Sequence, residues 1–155
     1  MSIFLGGTGS ANEIHDYEEG TFTPQLRTLN DATEATYNQR GGIYTKIGNM
    51  VHWVIRIDCS AAPASGSGVV SIFNLPFGAQ DWAGLDWPGN CNLSYYASFQ
   101  NMGSTTNIRF LGPMDNTTIV RMHGFNNSGD QSVNSVNTIS GNTLVIMGGT
   151  YTAST

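Results

Sequence analysis

Four carboxylates crowd the start of this chain, at Glu13, Asp16, Glu18 and Glu19. Two carboxyl groups held about 5–9.5 Å apart across a sugar are the machinery of glycoside hydrolysis. Neighbours on an extended segment reach that spacing readily, so spacing alone assigns no catalysis. The better reading is that these acids cap backbone N–H groups in a turn or pair with arginines across a subunit interface. A calcium site would use the same oxygens, but the chain has no Asp-x-Asp-x-Asp-Gly loop. A second group is Asp81-Trp82-Ala83-Gly84-Leu85-Asp86-Trp87-Pro88. Two tryptophans in a Gly/Pro/Asp loop can stack on the apolar faces of sugar rings, with Asp81 and Asp86 accepting hydroxyl hydrogen bonds. The competing reading is that the tryptophans plug one end of the fold and bury their large area. Asp81, Trp82, Asp86 and Trp87 are therefore the candidate sugar-binding residues.

Other chemistry is sparse. None of His15, His52 and His123 lies within three or four residues of another His or Cys, so zinc spacing is missing. There is no Gly-x-Ser-x-Gly elbow and no Gly-x-x-x-x-Gly-Lys-Ser/Thr phosphate loop. Cys59 and Cys91 are too few for a disulfide framework, and Cys59 reads as a buried free thiol. No catalytic residue, metal site or cofactor is expected, and the chain reads as a non-enzyme.

Composition narrows the class further. The 155 residues fit one domain. Charged residues make up 11%, against about 25% in an ordinary soluble domain. With 39% hydrophobic residues and a net charge of −5, the chain can fold behind a neutral, amide- and hydroxyl-rich surface. Six scattered basic residues form no patch for phosphate, which argues against nucleic acid as a partner. No apolar run approaches the ~18 residues of a membrane helix, so membrane insertion is not expected. The N-terminus lacks the basic and apolar regions of a signal peptide.

The elements that must carry these residues are strands. Apolar residues recur at period two, between clusters of Gly, Asn, Ser and Pro. Met50 to Cys59 is the clearest: Val51, Trp53, Ile55, Ile57 and Cys59 point one way, and Val54 is the large apolar exception on the other side. Gly42 to Ile47 precedes it across a Gly48-Asn49 turn, which predicts a hairpin. Further strands are expected at Phe22–Leu29, Ser67–Leu75, Asn92–Gln100, Thr106–Leu111, Thr117–Phe125 and Asn142–Tyr151. In the third of these segments, Leu93, Tyr95, Ala97 and Phe99 should share a face. Ser60–Gly68, Gly78–Asn90 and Asn126–Asn137 read as loops. The pattern predicts an all-β, antiparallel β-sandwich of jelly-roll-like type.

Several segments together resemble a known family. Leu5-Gly6-Gly7-Thr8-Gly9 followed by Tyr17-Glu18-Glu19-Gly20-Thr21-Phe22-Thr23-Pro24 is similar to the start of many bacteriophage tail-fibre and virion head domains. Gly42 to Val51, Ile72 to Phe77 and Gly148 to Tyr151 resemble later segments of that family, in the same order. The resemblance implies a homotrimeric β-sandwich head in a virion, with no catalytic residues to carry over. Glycines at 6, 7 and 9 would let three chains approach an axis. The motif begins almost at once, leaving no room for heptads or collagen-like repeats before it. The expectation is therefore an N-terminal arm, residues 1–20, that docks onto another virion protein (baseplate, tail adaptor or capsid) through Ile3, Phe4, Leu5, Gly6 and Gly7. Residues 21–155 would form the head. Two roles stay open: a short tail fibre or receptor-binding head that contacts host surface glycan, and a capsid-decorating or head-fibre protein with a structural role.

Overall fold

The computed structural model describes residues 3–4, 13–14, 16–30, 33–82, 89–100, 107–114, 116–126, 129–132 and 139–154. Twelve strands follow in chain order: β1 (Ile3–Phe4), β2 (Glu13–Ile14), β3 (Tyr17–Phe22), β4 (Gln25–Thr28), β5 (Thr36–Ile47), β6 (Met50–Ala61), β7 (Val70–Phe73), β8 (Gly89–Ala97), β9 (Asn107–Pro113), β10 (Val120–Asn126), β11 (Gly129–Ser132) and β12 (Leu144–Thr152). All pairings are antiparallel. β1 and β2 form a small sheet of their own. The front sheet runs β3-β5-β6-β12-β8, and the back sheet joins β4, β7, β10, β11 and β9. A strand has two edges. β9 occupies one edge of β10 along its length, so β7 and β11 share the other.

The β5–β6 hairpin anchors the front sheet. Gly48, with φ of +59°, takes the first central position of its two-residue turn, as a type II′ turn requires. Strict alternation on β6 then buries Val51, Trp53, Ile55, Ile57 and Cys59. Across the core they meet Leu26 on β4, Val70 and Ile72 on β7, and Val120 and Met122 on β10. β12 adds Val145, Met147 and Tyr151 from beside β6. Tyr151 also fixes the segment after β7. Its hydroxyl accepts from the Phe77 N–H at 3.1 Å and donates to the Phe77 carbonyl at 2.9 Å. At the far edge the two sheets touch. Cys91 Sγ on β8 lies 2.7 Å from the Phe110 carbonyl of β9. A Cβ on Gly112 would sit 2.2 Å from the Gly89 carbonyl, so glycine is what permits that approach.

The all-β antiparallel expectation holds, as do the hairpin, the buried face of β6 and the free, buried Cys59. Several local expectations are corrected. Phe22–Leu29 is two strands in different sheets, because Pro24 has no N–H to continue a ladder and the chain crosses over there. The segment expected as an Asn126–Asn137 loop contains β11, whose backbone pairs with β10 despite its polar sequence. β8 begins at Gly89, inside the expected Gly78–Asn90 loop, and β6 extends to Ala61, into the expected Ser60–Gly68 loop. Leu93 and Tyr95 do not share a face. The register slips by one residue between Ile146 and Met147, which bulges β8 at Ser94. Leu93 packs on the core while Tyr95 is 53% exposed. The expected handover at residue 20 falls within β3.

Neighbouring glycines at 41 and 42 give a sharp test of this packing. A Cβ on Gly42 would lie 2.5 Å from the Phe22 ring, whereas one on Gly41 would meet nothing within 4 Å. Gly42→Ala should therefore destabilise the fold by ~1–3 kcal/mol through overpacking. Gly41→Ala should be neutral or slightly stabilising, since glycine is a costly residue in a strand. Urea unfolding of the two variants measures the contrast; equal midpoints would contradict the packing described.

Candidate functional site

The carboxylates that opened the sequence reading are engaged within the chain. Asp16 forms an ion pair with Lys46. Glu18 accepts a hydrogen bond from the Tyr44 hydroxyl. Tyr17 donates to Glu19 at 2.9 Å. Register explains this, because β3 lies antiparallel to β5 with Glu18 opposite Lys46 and Gly20 opposite Tyr44. Gly20 has no side chain to displace the Tyr44 ring, so the phenol reaches back along β3 to Glu18. The Tyr44 phenol is held above its ordinary pKa, first by that bond to Glu18 and then by burial. Glu18 and Glu19 fall on opposite faces of the strand, a poor arrangement for a shared substrate. Among the described residues, no three His, Cys, Asp or Glu side chains cluster as metal ligands would.

Of the tryptophan loop, Asp81 and Trp82 are described and both are exposed, Trp82 at 48%. Asp86 and Trp87 lie outside the described residues. Trp82 does not plug the fold; the buried tryptophan is Trp53, in the middle of the core, with its Nε1 unpaired among the described residues. Of the expected docking residues, Ile3 and Phe4 pair through their backbones with Ile14 and Glu13. Leu5, Gly6 and Gly7 lie outside the described residues.

The surface that the sequence reading missed is the outer face of the front sheet. Apart from Trp82 and Tyr96, every strongly exposed large apolar side chain among the described residues lies there: Tyr17, Ile43, Ile47, Met50, Val54 and Tyr95. Ile43 and Met50 are 60% and 61% exposed. The back sheet presents a different outer face. Its Phe73 is covered by the Arg27 guanidinium, 3.5 Å above the ring, and Arg121 and His123 lie on the same side of β10. On the front face, Gly41 leaves a gap bordered by Thr21, Ile43, Val54, Arg56 and Ile146, an open groove of about 560 Å³. A second, more polar groove of about 390 Å³ runs over Gly148 and Gly149, flanked by His52, Asn90, Asn92 and Thr150. The one hint in the sequence was Val54, apolar on a face otherwise reading as polar.

Comparison with known proteins bears on the fold. No family model matches the chain, and no curated protein matches it. Among solved structures, the chain is similar to the crystal structure of the Dettilon tailspike protein, at a TM-score of 0.70 and 15% identity over 89% of this chain. The chain spans about a quarter of that protein, 24% of its length. The two share a fold.

Three buried acids in the core set a pH limit on stability. Burial, and then the neighbouring Asp58, pushes the Cys59 thiol up to about 12 from an ordinary 9.0. Burial chiefly pushes the Tyr37 phenol up to about 12 from 10.0, and raises Tyr151 in the same way. A raised folded-state value means the native state holds its proton where the unfolded chain has released it. The stabilisation is complete below the unfolded values and is lost as pH climbs through the folded ones. The urea midpoint should therefore hold steady to about pH 9 and fall between about 9 and 12. Cys59→Ala should delay the onset to near 10, where the tyrosines take over. A midpoint flat to pH 11 would contradict this account.

Proposed function

We propose that this chain is a non-enzymatic structural protein of a bacteriophage virion. In this reading it is a homotrimeric short fibre or receptor-binding head, a jelly-roll-like sandwich attached through its N-terminal arm at Ile3–Gly7 and contacting the host surface. The observation that carries the proposal is the tailspike-like fold over 89% of the chain. The Tyr17–Pro24 motif and its companions support it independently. The engagement of Glu18 and Glu19 by tyrosine hydroxyls supports a structural use of those acids. Trp82, exposed next to Asp81, supplies an aromatic platform with an adjacent hydroxyl acceptor, chemistry suited to glycan.

Immunogold labelling of phage particles should place the protein on the tail; labelling confined to the capsid would instead support a decorating role. Trp82→Ala should weaken binding to host envelope extract about tenfold, the ~1.4 kcal/mol expected for one lost stacking contact. Its thermal midpoint should stay unchanged, because the ring contributes little to the core. Release of reducing sugar from the same extract by the wild-type protein would overturn the non-enzymatic reading.

A further inference from the structure

Strand registers place four outward positions in one row across the front sheet. Tyr95 on β8 faces Ile146 on β12, Ile146 faces Arg56 on β6, and Arg56 faces Gly41 on β5. One end of the row is a projecting phenol, 53% exposed because the Ser94 bulge turns it outward. The other end is the groove at Gly41, where a side chain is missing and the walls are Ile43, Val54 and Arg56. Three strand spacings, roughly 14 Å, separate the two. Knob and hole thus lie on one face but cannot meet within one chain.

We propose that Tyr95 of one copy seats in the Gly41 groove of the next, so that the outer face of the front sheet is the surface through which this protein assembles on itself. The inference rests on the homotrimer reading above and names its interface. Around a threefold axis each Tyr95 enters the groove of the next copy, a heterologous contact that closes into a ring; reciprocal exchange between two copies would instead give a twofold dimer. Chemistry favours this occupant. A tyrosine ring lies well against apolar Ile43 and Val54, and a guanidinium such as that of Arg56 stacks on aromatic faces. Such a guanidinium–ring contact already occurs in this chain, where Arg40 lies 4.2 Å over the Tyr37 ring. Area points the same way. Five strands about 4.8 Å apart, six to twelve residues long and so about ten on average, present a face of roughly 19 by 33 Å before side-chain relief is added. That is on the order of the ~800 Å² each partner gives to a stable interface. Closure would also bury Ile43, whose 60% exposure has no counterpart in the core-facing alternation of β5.

Two substitutions test the contact from opposite ends. Gly41→Leu fills the hole without disturbing the monomer, because a Cβ there meets nothing within 4 Å. Tyr95→Ala removes the knob from an exposed position. By size exclusion with light scattering at micromolar concentration, wild type should be a trimer and both variants monomers, with circular dichroism unchanged. Mixed Tyr95→Cys and Gly41→Cys chains should be joined between copies by a short bismaleimide linker, and neither alone should be beyond the wild-type background. Trimers retained by both Gly41→Leu and Tyr95→Ala would overturn this interface while leaving the homotrimer reading intact. A monomeric wild type would overturn both.

Discussion

The inward side of β6 must be sealed from water, and most of the structure follows from how that is done. Val51, Trp53, Ile55, Ile57 and Cys59 form an unbroken apolar row along one strand. Burying one such side chain is worth ~1.5–3 kcal/mol, but a single sheet covers only its own backbone. A second layer is obligatory, and β4, β7 and β10 supply it with Leu26, Ile72, Val120 and Met122. β5 and β12 then pair with the two edges of β6 and satisfy its backbone groups. Trp53 sits fully buried at the middle of this arrangement with its Nε1 unpaired among the described residues, a local cost the surrounding apolar contacts must exceed.

The same sealing produces an asymmetry between the two outer faces. The back sheet shields its outward Phe73 beneath Arg27. The front sheet leaves Ile43, Val54 and Tyr95 in water. A monomer gains nothing from such exposure, and concentrated apolar surface is a mark of interaction. The glycines on this face sharpen the contrast. Gly42 is required by the Phe22 ring inside the fold, whereas nothing inside the fold requires Gly41.

The acids at the start of the chain show how a chemical-looking cluster can be structural. On paper they have glycosidase composition. In the fold, Asp16 pairs with Lys46 and Glu18 with Tyr44, contacts that fasten the start of the edge strand β3 to β5, while Glu19 takes the Tyr17 hydroxyl within β3. Surface pairs of this kind contribute little each; here they hold the register of an edge strand flanked on one side only.

Period-two alternation was enough, from sequence alone, to establish an all-β antiparallel fold, the β5–β6 hairpin and the buried row on β6. Those features depend on side-chain chemistry and turn residues within a dozen positions. Proline at 24 and the small residues of 126–137 also marked breaks, but not which sheet the chain would join next or that β11 would pair there. Pairing of that kind depends on backbone hydrogen bonds to distant segments, and a polar sequence leaves no trace of it. The front-face surface was legible only as one exception, Val54. Its partners come from four other strands, and Tyr95 joins them only because a bulge at Ser94, set by register against β12, reverses its direction. Alternation tells which residues of one strand share a face; only the tertiary register decides which faces, from which strands, come to lie side by side.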